Sequence, residues 1–309
     1  MTTELLLPTS DIVFRMLFGS ERNTDILSAF LKAVLLLPGD ELAEVAIMNP
    51  LLDSEFPDVK ATILDVKAKT ASGRRIDIEM QMDNYAEMKQ RIMFYTAKMF
   101  TEQVGPGDDY DRICPVVCIL VTDFRMIENA YYHNRYRLHD PRTGSEFTDL
   151  LEINVLELPK TPGAATADDA ALLTWLKFLK AKNREEMEML AQGNPEIQKA
   201  VKRLVELSAD DKARMIYEAR LKLQRDKAAY GRDQHMKGWE EGREEGWEEG
   251  REEGLEEGLE KGREEGWEES RIEFARKMLQ HSHPLEEIVE MTGLSMQKIR
   301  ALQAGTEGI

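Results

Sequence analysis

The segment Lys60 to Met82 constrains the fold more than any other part of the chain. Ile63, Leu64 and Val66 mark one strand, and Ile76, Ile78 and Met80 mark a second with strict alternation. Between them stands Thr70-Ala71-Ser72-Gly73. A three-residue hairpin loop needs its last residue in the left-handed region, where glycine fits without strain. Ala71-Ser72-Gly73 meets that demand and pairs Thr70 with Arg74. Counting back sets Lys67 against Asp77 and Asp65 against Glu79.

Period two also places Asp77, Glu79 and Gln81 on one face, opposite the apolar one. Aspartate has low strand propensity, so an ordinary edge strand explains this face poorly. Directly opposed carboxylates repel, and at Cβ separations of about 4.5–5.5 Å they readily share a divalent cation. Hard oxygen ligands favour Mg²⁺ or Mn²⁺ over zinc. Spacing alone leaves a second reading open, a solvated hairpin face with Lys67 and Asp77 as a cross-strand ion pair. Either reading puts the acids on a surface that need not be packed.

Around the hairpin the pattern alternates between helix and strand. Val13, Phe14, Leu17 and Phe18 recur at helical spacing after Thr9, Ser10 or Asp11 as cap. Gly19 to Asn23 interrupts, a second helix follows, and Pro38-Gly39-Asp40 ends it. Glu44 to Leu51 is a short strand candidate. Tyr85 to Val104 is one helix with Met88, Ile92, Tyr95 and Met99 on a face. Ile113 to Thr122 is apolar on both faces and so is predicted to be a central strand. Tyr132 to Leu138 and Phe147 to Leu158 add strands, Lys160 to Thr166 is a linker, and Asp168 to Arg232 is helical.

The hairpin Ile63-Leu64-Asp65-Val66-Lys67, its glycine turn, and Ile76-Asp77-Ile78-Glu79-Met80-Gln81 resemble the core of PD-(D/E)XK phosphodiesterases. The resemblance is closer still to the recombination-promoting nuclease and putative transposase family. It extends to Ser10-Asp11-Ile12-Val13-Phe14-Arg15-Met16-Leu17-Phe18-Gly19, to Arg91-Ile92-Met93-Phe94-Tyr95 and to the strand from Val116 to Asp123. It spans roughly residues 8–158.

The family implies an α/β fold with a restriction-endonuclease-like core, a mixed sheet flanked by helices, here with an α-helical C-terminal extension. It implies a metal-dependent DNA endonuclease, transposase-like and promoting recombination, with Asp65 and Glu79 as catalytic metal ligands. Asp11 is either an outer acidic ligand or a helix cap. Gln81 stands where many relatives in the superfamily carry lysine. It lacks the charge that steadies a developing negative charge, but its amide still orients water. Arg91 and Tyr95, one helical turn apart, either reach a phosphate or simply rim a packed helix. The expected cofactor is Mg²⁺, with Mn²⁺ as the substitute, and the expected partner is DNA.

The expected organisation is a nuclease-like domain over 1–160, a helical region over 161–236, an acidic Gly-xxx-Gly repeat helix over 237–270 and a small helix-turn-helix-like module over 271–309. The repeat reads WEEG, REEG, WEEG, REEG, LEEG, LEKG, REEG, WEES. Glycine at helical positions costs about 1 kcal/mol each relative to alanine, so eight cost about 8 kcal/mol. Close approach of two such helices offsets that cost, as at small-xxx-small contacts. Residues 237–269 are therefore expected to form a homodimer, the alternative being a flexible acidic tail. Beyond the repeat, Arg271 to Gln280 and Leu285 to Gln303 form two short helices, with His283-Pro284 and Thr292-Gly293 as the breaks.

The net charge of −17 argues weakly against nucleic acid, because 237–269 holds 15 Glu against 5 Lys and Arg and so carries most of it. Cys114 and Cys118 are read as small buried residues, without a zinc cluster. No signal peptide is evident, and apolar runs fall short of the roughly 18 residues that a membrane helix needs, so a cytoplasmic protein with no membrane contact is expected. The competing class is a catalytically weak or inactive DNA-binding or assembly protein that oligomerises through the glycine repeat.

Overall fold

The computed structural model describes residues 4–35, 37, 40–52, 62–161 and 170–306. Pro38, Gly39 and most of the predicted linker after Thr161 lie outside these residues. The chain opens with α1 (Asp11–Phe18) and α2 (Thr24–Val34), separated by a 3₁₀ turn at Glu21–Asn23. The short strands β1 (Val45–Ile47), β2 (Leu51–Leu52) and β3 (Thr62–Ile63) precede the hairpin of β4 (Val66–Thr70) and β5 (Arg75–Gln81). Helix α3 (Met88–Thr101) leads to β6 (Val116–Thr122), β7 (His133–His139) and β8 (Glu146–Glu157). Helices α4 (Ala170–Lys180), α5 (Arg184–Ala191), α6 (Pro195–Ala209), α7 (Asp211–Gln280), α8 (Leu285–Thr292) and α9 (Met296–Thr306) complete it.

Six strands form one mixed sheet in the order β1-β4-β5-β6-β8-β7. The neighbours β5, β6 and β8 run parallel, and the remaining pairs are antiparallel. The hairpin register is the predicted one, with Lys67 opposite Asp77. Thr70 N–H donates to Arg74 O at 3.0 Å, and Gly73 has φ +92. Strand β6 is buried at every position, as its two-sided apolar pattern requires.

Helices cover both faces. On one, Val66, Ala68, Ile76, Ile78 and Met80 join Val117, Ile119 and Val121 in a cluster with Phe14, Phe18, Phe30, Trp175 and Leu204. On the other, Cys118 and Leu120 pack on Met88 and Ile92 of α3, while Leu64 and Val116 pack on Met99. Asp77 and Glu79 lie beside Cys118 and Leu120 in the ladder, so the acidic face is the one beneath α3. That corrects the expectation of an unpacked surface, because Asp77 is 0 % and Glu79 4 % exposed.

Two compact units are distinguished, residues 1–224 and 225–309. The large cluster belongs to the first and extends as far as Ala213. In the second, Ala275, Met278, Ile288, Leu294 and Ile299 form a small core of their own. Arg271 to Gln280 is the end of α7 rather than a separate helix, and the predicted break at Thr292-Gly293 separates α8 from α9. Gly293, at φ +63, makes the break, and its backbone N–H donates to Val289 O. No helix among the described residues is long and apolar enough to cross a membrane.

Candidate active site

The predicted strand through Ile63, Leu64 and Val66 is interrupted, and the interruption builds the site. Leu64 N–H donates to Pro50 O at 3.0 Å, so the chain before Val66 has turned away from β5. The ladder partner that Met80 would have had is gone. The Asp65 carboxylate takes its place, Oδ2 accepting from Met80 N–H at 2.9 Å. In return Asp65 N–H donates to Glu79 Oε1 at 3.1 Å. Each acid thus satisfies a backbone donor that the end of the ladder leaves free, and the two are held side by side. Gln81 Nε2 stands 3.4 Å from Glu79 Oε2.

Burial sets the proton affinities here. Asp65 is pushed up to about 6, chiefly by burial and also by the charge of Asp11, against the pull of Met80 N–H, Arg15 and Arg220. Glu79 is raised well above the usual carboxylate range by burial and by the charges of Asp77 and Asp65, with Asp65 N–H and Arg91 opposing. Asp77 is raised to about 8 by burial and by Asp65. Its Oδ1 has no hydrogen-bond partner among the described residues, and its Oδ2 faces the Cys118 thiol at 3.7 Å. The expected Lys67–Asp77 ion pair is replaced by another. Lys67 Nζ reaches Glu102 Oε1 at the C-cap of α3 at 2.5 Å, where Arg75 also binds at 2.8 Å. The long lysine stem extends past the ladder to an acid nearer solvent.

Asp11 is not the cap of α1, a position that Ser10 holds. One of its oxygens accepts from Ile12 N–H at 2.9 Å and the other meets the Arg220 guanidinium from α7. Arg91 Nε donates to Tyr95 Oη at 3.3 Å, which links the two residues one turn apart. Sequence reasoning missed three groups at this site. Arg15 was visible inside the opening motif, one turn after Asp11. Tyr85 and Arg220 gave no local signal, and Arg220 comes from 209 residues beyond Asp11.

A six-stranded mixed sheet with helices on both faces and a carboxylate pair where the hairpin strands part is a PD-(D/E)XK-like nuclease fold. A family model described as PD-(D/E)XK nuclease family transposase matches residues 8–233, and the chain belongs to that family. The matched length takes in α4, α5, α6 and the first turns of α7, beyond the 8–158 over which the sequence resemblance was traced. No curated protein and no solved structure matches the chain. Membership points to a nuclease or transposase-like function with DNA as substrate, and nucleases of this superfamily generally use divalent metal ions.

The donor set fits such an ion in one particular way. Among the described residues no three His, Cys, Asp or Glu side chains form a cage. Asp65 and Glu79 offer two hard carboxylates, the first partly buried and the second buried, and their charges disfavour joint ionisation, so a cation held by both would relieve them. Mg²⁺ is commonly held by one or two carboxylates, with water and substrate phosphate filling the remaining positions.

Proposed function

We propose that the protein is a Mg²⁺-dependent DNA endonuclease, with Mn²⁺ as a working substitute, that cleaves phosphodiester bonds during recombination in the cytoplasm. The observation that carries this reading is the reciprocal clasp of Asp65 and Glu79, with Arg15, Arg91 and Arg220 acting on them. Asp65 and Glu79 are the metal ligands, and Asp11, its charge felt at Asp65, holds an outer water. When bound, the ion polarises the phosphoryl oxygen and lowers the pKa of the attacking water. The Gln81 amide, beside Glu79, orients that water by accepting or donating a hydrogen bond. The arginines neutralise the phosphate backbone and keep it in register.

The glycine repeat supplies assembly. A Cβ placed on Gly238, Gly242, Gly246, Gly250, Gly254, Gly258, Gly262 or Gly266 would meet nothing within 4 Å. Trp239, Trp247, Leu255, Leu259 and Trp267 are all more than 60 % exposed along the same helix. Residues 237–269 pair with the same segment of a second copy. The acidic helix and the small module over 271–309 then act as the dimerising part of a chain whose catalytic domain lies ahead of them.

The test is plasmid nicking by purified protein with Mg²⁺, Mn²⁺ or EDTA, beside Asp65→Ala and Glu79→Ala. Nicking by wild type with metal, lost in EDTA and in both variants, is the expected result. A variant that nicks at the wild-type rate would remove the site. A folded wild type that nicks under none of these conditions would leave a DNA-binding or assembly protein, for which Gln81 in place of lysine is the relevant departure.

A further inference from the structure

Past the end of β5 stands a group of aromatic rings, of which Tyr95 packs against Leu64, Met99 and Val116 while Tyr85 and Phe94 are exposed. The Arg91 guanidinium lies 5.6 Å from the Tyr85 ring centroid and 5.7 Å from that of Tyr95. Phe94 meets Tyr95 edge-on at 6.1 Å. Tyr85 is 45 % and Phe94 57 % exposed. Single exposed aromatics need no explanation, but here three rings and an arginine are grouped together. The chain ties them to the acids, since Tyr85 follows shortly after Gln81 at the end of β5. Arg91 lowers the proton affinity of Glu79, and Arg220 lies within electrostatic reach of both Asp65 and Tyr85.

A ring with an arginine on one side and solvent on the other is a ready stacking surface. Arg91 holds Tyr85 by a cation–π contact, which limits the ring's freedom before anything binds. A second flat group added to the open side extends the stack at little further ordering cost. Nucleobases are such groups, and their attached phosphates suit the neighbouring Arg91 and Arg220. In a duplex, however, base faces are hidden within the helical stack and only their edges face outward. A tyrosine ring gains a base face only where the base is unpaired.

We propose that Tyr85, backed by Arg91 and Tyr95, is a base-stacking platform, and that the substrate is DNA with an unpaired nucleotide beside the scissile phosphate. Single strands, flaps, frayed ends and the transiently opened stretches of a supercoiled plasmid qualify, and intact relaxed duplex does not use the platform. This rests on the endonuclease reading for what happens to the bound strand, but binding itself needs no cleavage.

The experiment measures binding by the full-length Asp65→Ala protein in EDTA, using a labelled oligothymidine strand and a mixed-sequence duplex of equal length. The single strand is expected to bind more tightly. Adding Tyr85→Ala should weaken single-strand binding roughly ten-fold, the size of one lost base–aromatic stack, and leave duplex binding within about two-fold. Tyr85→Phe keeps the ring and should keep the affinity, which a role for the hydroxyl alone would not allow. Tighter binding of duplex, equal weakening of both ligands by Tyr85→Ala, or loss with Tyr85→Phe as large as with Tyr85→Ala would each overturn the platform. Asp65-dependent nicking without any Tyr85 effect would sink the platform alone. Tyr85-dependent single-strand binding by a wild type that never nicks would sink the endonuclease reading and leave the platform standing.

Discussion

Asp65→Asn should make the metal-free protein more stable at neutral pH, and by a predictable amount. The folded protein holds the Asp65 proton up to about pH 6, against an ordinary value of 3.8. Between those two values the unfolded chain has lost a proton that the folded chain keeps, so folding stability falls as pH rises through that interval. Above it the full penalty persists. At about 1.4 kcal/mol per pKa unit, it is about 3 kcal/mol. Asparagine keeps an oxygen to accept from Met80 N–H and cannot ionise.

The assay is urea unfolding in EDTA from pH 4 to 8. Trp175, 3 % exposed, reports the first unit, while the three exposed tryptophans lie in the repeat. The variant should match wild type near pH 4 and exceed it by about 3 kcal/mol at pH 7.5. Adding Mg²⁺ should then stabilise wild type, by about 2.7 kcal/mol at a hundred-fold excess over Kd, and leave the variant unmoved. A variant equal to or weaker than wild type at pH 7.5 in EDTA would refute the reasoning, because Asp65 would then be at no electrostatic disadvantage in the fold.

Gln81→Lys should retain or raise nicking, since an ammonium beside Glu79 adds charge next to the phosphate, and charge-assisted contacts are roughly twice as strong as neutral ones. Complete loss with normal folding would mean that a neutral amide is required there. Gly73→Ala should cost about 1–3 kcal/mol in denaturation experiments, because φ is +92 and the new Cβ would stand 2.7 Å from Cys114 Sγ; an unchanged midpoint would contradict the turn geometry. Replacing Gly246, Gly250 and Gly254 with leucine should separate the subunits in sedimentation, whereas alanine at the same positions should be milder and should raise helix stability by about 1 kcal/mol each. Equal mass per particle for the full chain and a chain ending at Arg232, or a triple leucine variant that stays dimeric, would take the repeat out of the interface. Association should also strengthen from low to moderate salt, as screening reduces the repulsion between acidic helices.

The hairpin was legible because it is local. Period-two alternation and one glycine fixed a register that the fold reproduces from Val66 to Lys69. The central strand was legible for the same reason, its burial on both faces being written in its apolar run. What lay beyond the sequence was which face of β5 would be covered. Alternation separates Asp77, Glu79 and Gln81 from Ile76, Ile78 and Met80, but does not say that α3 packs over the acids. The break at Leu64 was equally hidden, because it depends on a hydrogen bond to Pro50. Local patterns also gave no reason for Lys67 to choose Glu102 over the residue opposite it, or for Arg220 to meet Asp11.

The covered acidic face explains why stability and chemistry are opposed in this hairpin. A sheet buried on both sides offers few donors to a carboxylate, and β5 places two of them in its buried stretch. Glu79 finds the Asp65 N–H and Asp65 finds the Met80 N–H, yet burial still dominates their proton affinity. Asp77 fares worse, with Oδ1 unpaired among the described residues and Cys118 as its hydrogen-bond partner. Replacing these acids with neutral residues of similar shape would relieve the fold, so their presence has to be accounted for by something the polypeptide lacks. On the proposed function, a divalent cation at Asp65 and Glu79 would supply it. Such an ion would relieve the burial penalty on two carboxylates already engaged by backbone N–H groups, so that little ordering would remain on binding. The arginines stay outside the pair: Arg220 engages Asp11 and Arg91 rests on tyrosine rings, so each lowers the proton affinity of the nearby acid without outweighing burial.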